Sequence, residues 1–343
     1  MDKIFEEMFS KQPDEIINGD YFYRVPWIEL EQQKYGGWIY SESDLENYEK
    51  RSKAKFKNVW EERTFQGEFD KTNDDLWLKS IKGKNKNAKI EEIFYNIARE
   101  STPFMDIASS EGMGLASYIL KLNPKTPCLV TDIGEHNIKR LRSRIGENLP
   151  EYDISLASFD NLEMPIKDAS INCVTSIGAI MHSYMNRSWS KDDETDPKIE
   201  TFEDFQDAKQ RKSINEVYRV LKPGGLFITV EDEWDWEYDL KKIDDYFAEH
   251  EKLYGLYTHD RVRERIAEFE VQKERQALRD TTFTSEGFTV ECEKRYNKKL
   301  PLNIVAQSLS FAGDPVRVKE CDRTEDIINI YTQVILYILR KPK

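Results

Sequence analysis

Phe104-Met105-Asp106-Ile107-Ala108-Ser109-Ser110-Glu111-Gly112-Met113-Gly114 decides how the rest of this chain is read. Phe104 to Ile107 is apolar except for Asp106, which suits a short buried strand. An acid inside such a strand is costly unless something hydrogen-bonds it. Ala108, Ser109, Ser110, Gly112 and Gly114 carry little or no side chain, so a ligand can come close to the backbone. Leu115, Tyr118, Ile119 and Leu122 then recur at helical spacing. Strand, small-residue turn and helix form the first unit of a doubly wound nucleotide-binding sheet. A tightly packed βα turn with no ligand would read the same way, so the downstream stretches decide.

Those stretches repeat the unit. An apolar stripe of Ile90, Ile93, Phe94 and Ile97 predicts a helix before Pro103. Cys128 to Thr131 predicts a second strand ending at Asp132, with a helix through Ile138, Leu141 and Ile145 after it. Ile154 and Leu156 mark a third strand that ends at Ser158-Phe159-Asp160, and Ile171 to Ile177 a fourth. Phe202 to Leu221 is helical, stopped by Lys222-Pro-Gly-Gly225, and Leu226 to Val230 is a fifth strand. Phe288 to Cys292 and Tyr331 to Leu339 supply a sixth and a seventh. The alternation predicts a parallel α/β sheet.

Ligands of such sheets bind at the carboxyl ends of the strands. Asp106, Asp132 and Asp160 fall there on three successive strands. A carboxylate accepting two hydrogen bonds suits ribose, and Asp132 is placed for it. Ile133 is expected on a purine face, and Asp160 to accept from an exocyclic amine. Singly, each acid serves as well as a cap or turn former.

Around this core the sequence is less regular. Residues 1–86 are rich in charge and aromatics and are expected to be an extension packed on the core, or a lid over it. Glu42 to Arg63 reads as polar helix within it. The core is expected over 87–240, a helical insertion and second lid candidate over 241–285, and closing strands over 286–343. A net charge of −13 argues against a broad nucleic-acid footprint, and the basic run Lys82 to Lys89 reads as a solvated loop. Cys128, Cys173, Cys292 and Cys321 lack metal-ligand spacing and suggest no disulfide framework, which fits a reducing cytoplasm. No apolar run approaches bilayer-spanning length, and the N-terminus carries no apolar signal segment.

Four pieces resemble one family, the class I S-adenosylmethionine-dependent methyltransferases: Asp106 to Gly114, Val130-Thr-Asp132, Ser158-Phe-Asp160 and Glu216 to Thr229 with its Lys-Pro-Gly-Gly. The closing Tyr337-Ile-Leu-Arg-Lys-Pro342 resembles that family's final strand, inserted antiparallel between the fifth and sixth. The resemblance covers residues 88–240 and, more loosely, the last strands. It implies a doubly wound, Rossmann-like sheet of seven strands, mostly parallel with an antiparallel last strand, carrying helical N-terminal and post-fifth-strand additions. It also implies S-adenosylmethionine as cofactor. Asp106 would orient the first loop and the methionine amino group. Ala108, Ser110 and Gly112 stand where the family has three glycines, of which only Gly112 is kept. Asp132 would hold the ribose hydroxyls, Asp160 and the backbone of Phe159 would read adenine, and Ile177 to Ile180 would lie near the methionine moiety.

Methyl transfer from a sulfonium needs in-line placement and desolvation, and a base only where the acceptor carries a proton to lose. His182, after the fourth strand, is the candidate base, and Tyr184 the candidate to orient the acceptor. Glu231-Asp-Glu-Trp-Asp-Trp-Glu237 is expected to be an acidic, aromatic loop lining an amine-binding acceptor pocket. The expected acceptor is a small molecule with an amine or hydroxyl; a protein acceptor stays open, nucleic acid is disfavoured, and no membrane is expected. Two other functions fit a similar sheet. One is an NAD-dependent oxidoreductase, which Glu111 disfavours by placing charge beside a pyrophosphate. The other is a protein that binds the cofactor without turning it over.

Overall fold

Three short buried runs, Phe104–Ile107, Cys128–Asp132 and Ile154–Ser158, stand side by side as parallel strands. The computed structural model describes residues 3–25, 88–109, 115–135, 137–139, 141–142, 152–180, 196–249, 259–260, 263, 266–267, 281–300 and 328–343. In chain order its strands are β1 (Glu15–Ile17), β2 (Asp20–Phe22), β3 (Phe104–Ile107), β4 (Cys128–Asp132), β5 (Ile154–Ser158), β6 (Ile171–Ile177), β7 (Leu221–Tyr238), β8 (Thr289–Leu300) and β9 (Ile328–Arg340). Its helices are α1 (Lys3–Glu6), α2 (Ala88–Arg99), α3 (Ala116–Leu122), α4 (Phe202–Val220) and α5 (Leu240–Glu249).

All nine strands form one sheet in the order β1-β2-β5-β4-β3-β6-β7-β9-β8. From β5 to β7 every pairing is parallel. β9 then runs antiparallel to both neighbours, β7 and β8. The expected seven-strand arrangement is present, with the final strand inserted between the fifth and sixth.

The count of seven is corrected to nine by the N-terminal residues. Asn18 and Gly19 have φ of 53° and 87°, which makes the tight two-residue turn of a β-hairpin. Ile17 and Asp20 pair across it, and β2 docks parallel to β5. The described part of residues 1–86 therefore carries a short β-hairpin beside the single-turn helix α1, where only helix was expected; Glu42 to Arg63 and most of the proposed lid lie outside the described residues.

The sheet is covered on both faces. Phe94 and Ile97 of α2 and Ile119 and Leu120 of α3 pack on one face with Phe104, Val130 and Leu156. Ile214, Val217 and Val220 of α4 pack on the other with Met105, Ile107, Leu129 and Val174, joined by Phe5 and Phe9 from the N-terminus. α4 starts at a capping box in which Thr201 and Asp204 bond each other's backbone N–H groups. Lys341 Nζ caps its far end on the carbonyls of Tyr218 and Leu221, at 2.7 and 2.8 Å. At Gly225 a Cβ would stand 2.8 Å from the Lys222 carbonyl and 3.0 Å from that of Asn172, so only glycine passes there.

A second correction concerns Glu231–Glu237. The predicted acceptor loop is the continuation of β7, paired residue for residue with β9 from Leu226↔Arg340 to Tyr238↔Ile328. Glu and Asp deplete strands in general, but the β9 backbone runs the full length beside them. Among the described residues, no helix is long and apolar enough to cross a membrane.

Candidate cofactor site

The sheet order sets β5, β4 and β3 next to one another, so Asp160, Asp132 and Asp106 line one rim. All three acids are buried, at 8, 7 and 1% exposure respectively. Each is fixed differently. Asp106 sits within β3, and its carboxylate accepts hydrogen bonds from Ser109 Oγ and Thr175 Oγ1. Thr131 Oγ1 donates to the Asp106 carbonyl at 3.1 Å, tying β4 to the same point. Burial pushes the Asp106 carboxyl up to about 7, against the opposing pull of Ser109, Thr175 and the Ala116 backbone N–H. Asp106 therefore anchors both ends of the first turn: Ser109 near its start and Ala116 at the opening of α3.

Asp132 closes β4. Its Oδ1 accepts from the Gly134 N–H at 2.8 Å and from Asn137 Nδ2 at 2.9 Å. These two bonds set the plane of the carboxylate. The Phe159 N–H donates to the Asp132 carbonyl at 3.1 Å, and Ser158 Oγ to the Ile133 carbonyl at 3.2 Å. The turns after β4 and β5 are thus stitched together. Asp160 Oδ1 accepts from the Leu162 N–H at 2.9 Å, which holds the acid in a turn of its own.

Of the residues expected from the sequence, Asp106, Ala108, Asp132, Ile133, Phe159, Asp160 and Ile177 all come to this rim. Ile133 and Ile177 are half-buried, whereas Phe159 is buried. Ala108 is exposed and has a φ of 53°, the left-handed region that favours glycine. An alanine there costs about 1–2 kcal/mol, so the turn keeps the glycine backbone without the glycine. Ser110, Gly112, His182 and Tyr184 lie outside the described residues.

Sequence reasoning missed Thr175, the partner of Asp106 on the neighbouring strand, because a threonine in an apolar run carries no signal of its partner. It also missed the distinct position of Glu231. Ser176 Oγ and Thr229 Oγ1 are 2.7 Å apart, and Thr229 Oγ1 donates to Glu231 Oε1 at 2.5 Å. All three are completely buried, in line across β6 and β7 at the rim. Cys128 and Cys173 flank β3 in register with Phe104, and burial pushes both thiols up, Cys173 to about 12. They are inert thiols in the core rather than site groups.

A mostly parallel sheet whose penultimate strand in space runs antiparallel has the Rossmann-like topology that the resemblance to class I S-adenosylmethionine-dependent methyltransferases implied. No protein-family model matches the chain. Over 138 residues, 40% of its length, it is 24% identical to an uncharacterised 37.1 kDa protein of transposon Tn4556 from Streptomyces fradiae, and it spans 32% of that relative's length. Among solved structures, it is similar to a candidate methyltransferase of Bacillus halodurans, at 18% identity and a TM-score of 0.42, over 74% of this chain and 98% of that one. The YcgJ protein of Bacillus subtilis gives 16% identity and a TM-score of 0.38 over 74% of this chain and 99% of that one. A phosphoethanolamine N-methyltransferase of Haemonchus contortus, solved with phosphomonomethylethanolamine and S-adenosylhomocysteine, gives 11% and 0.37 over 74% and 53%. The likeness to each is one of fold alone.

Proposed function

We propose that this chain is an S-adenosylmethionine-dependent methyltransferase acting on a small molecule through an amine or hydroxyl. The observation that carries the reading is the row of buried carboxylates at the ends of β3, β4 and β5. These acids fit an adenosyl donor: one is oriented by Gly134 and Asn137 for a diol, and one closes the next turn for a base amine. A dinucleotide-binding sheet is mostly parallel and sets its sixth strand beside the fifth, whereas here the antiparallel β9 stands between them.

The bound donor supplies an activated methyl group on a sulfonium. The chain's own residues orient and enclose. Asp132 would hold the ribose, Ile133 would lie on the base, and Asp160 with the Phe159 backbone would read its edge. Asp106, which holds Ser109 and Ala116 on either side of the first turn, would shape it around the amino acid end, where the resemblance also places Ala108, Ser110 and Gly112. Ile177 borders that end from β6. His182 takes a proton where the acceptor loses one, and Tyr184 orients the acceptor.

The test is titration calorimetry with S-adenosylhomocysteine. The full chain is expected to bind it, and Asp132→Ala to weaken binding by ~10-fold or more, the scale of lost hydrogen bonds to two hydroxyls. Unchanged affinity overturns the placement of the ribose.

A further inference from the structure

We infer that the N-terminal hairpin, an addition outside the seven core strands, is a working part of the cofactor site, and that Tyr23 is the positioning residue through which it fixes the base-reading turn. This rests on the methyltransferase reading of the rim.

Without the hairpin β5 would be an edge strand, held on the β4 side only. Its last residues lead directly into Phe159 and Asp160, the turn assigned to the base. β2 lies parallel to β5 with Tyr21↔Ala157 and Phe22↔Ser158 in register, so its end rises to the same rim as the three acids. The Tyr23 N–H then donates to the Ser158 carbonyl at 2.9 Å. On the opposite side the Phe159 N–H donates to the Asp132 carbonyl at 3.1 Å. The turn is therefore clamped from both sides, once by the strand carrying the ribose acid and once by the hairpin.

The side chains repeat the arrangement. The Tyr23 ring is 2% exposed and meets the Phe159 ring nearly edge-on, at 6.2 Å and 74°. Phe9 backs it at 5.4 Å. The phenolic oxygen donates to the Lys11 carbonyl at 3.3 Å, so the ring is held at both ends. The hairpin is itself pinned: Asp20, 2% exposed, accepts Arg142 Nε at 2.9 Å on Oδ2. Arg142 stands in the helical stretch that follows the Asp132 turn. One small element thus touches the turn of Asp160 and the helix that follows the turn of Asp132. Moving the Tyr23 ring lets Phe159, and with it Asp160, leave the place where a base amine is met.

The test compares two ligands of the full chain, S-adenosylhomocysteine and S-inosylhomocysteine, in which a carbonyl replaces the 6-amino donor. The wild-type chain is expected to prefer the adenosyl ligand by ~10-fold or more, the scale of a hydrogen bond to a carboxylate. Tyr23→Ala should remove most of that preference, and Tyr23→Phe, which keeps the ring, should retain it. Phe9→Leu, a milder change behind the ring, should lower the preference part of the way and serves if Tyr23→Ala does not fold. Equal weakening of both ligands, or an unchanged ratio, would mean that the hairpin contributes stability alone and overturns the inference. Failure of the wild-type chain to bind either ligand overturns the methyltransferase reading with it.

Discussion

Among the described residues, Asp106 carries a clear pH dependence. Its carboxyl rises from an ordinary 3.8 to about 7 because burial disfavours the charge more than Ser109, Thr175 and Ala116 favour it. A raised carboxyl binds its proton more tightly in the folded chain than in the unfolded one. Its contribution to stability is therefore fully present below pH 3.8 and is lost as the pH rises through about 7. Asp106→Asn should remove this component, giving a melting temperature that falls less between pH 4 and pH 7 than that of the wild-type chain. Superimposable curves would mean that the carboxyl titrates as an ordinary surface acid. The neighbouring Ala108 stands where the family has a glycine, at a φ of 53° that favours glycine. Identity at a turn does not disclose dihedral angle, so sequence could name the position but not its strain.

Among the elements, the N-terminal hairpin depends on one ion pair. Asp20 is buried and Arg142, 30% exposed, meets both of its oxygens. Removing the arginine leaves a charge in the core, a change that costs about 3–5 kcal/mol for a buried pair. Arg142→Ala should lower unfolding free energy in denaturant by about 3 kcal/mol, and adding Asp20→Asn should recover much of it. A loss under 1 kcal/mol would show the pair to be solvated. The core strands were legible because β3, β4 and β6 are dense apolar runs bounded by turns, and their observed limits match those read from the residues. β1 and β2 were not, since three-residue strands are shorter than any periodicity window. The turn between them was legible in principle: Asn18-Gly19 is a strong short-range hairpin signal. The far half of β7 was read as loop from its acids, although Trp234, Trp236 and Tyr238 alternate at strand spacing.

For the whole molecule, the acids of the rim were legible as positions at strand ends, while their partners were not. Thr175 meets Asp106 across 69 positions of sequence and Arg142 meets Asp20 across 122, separations that only the assembled sheet closes. A ligand that engages the native rim should stabilise the entire fold, because it does not bind the unfolded chain. S-adenosylhomocysteine at a hundred times its dissociation constant is expected to add ~2.7 kcal/mol, seen as a raised melting temperature. NAD at the same concentration should leave the temperature unchanged; stabilisation by NAD alone would move the protein to the oxidoreductase class.

β6 stops at Ile177, level with Val230, yet β7 continues for eight residues to Tyr238 with β9 beside it. At ~3.3 Å per residue the overhang is roughly 26 Å, longer than a nucleoside. The top of the sheet is consequently stepped, low over the carboxylates and high on one flank. A ligand seated on the proposed rim would have that protruding ladder on one flank, a parapet of paired backbone rather than a loop.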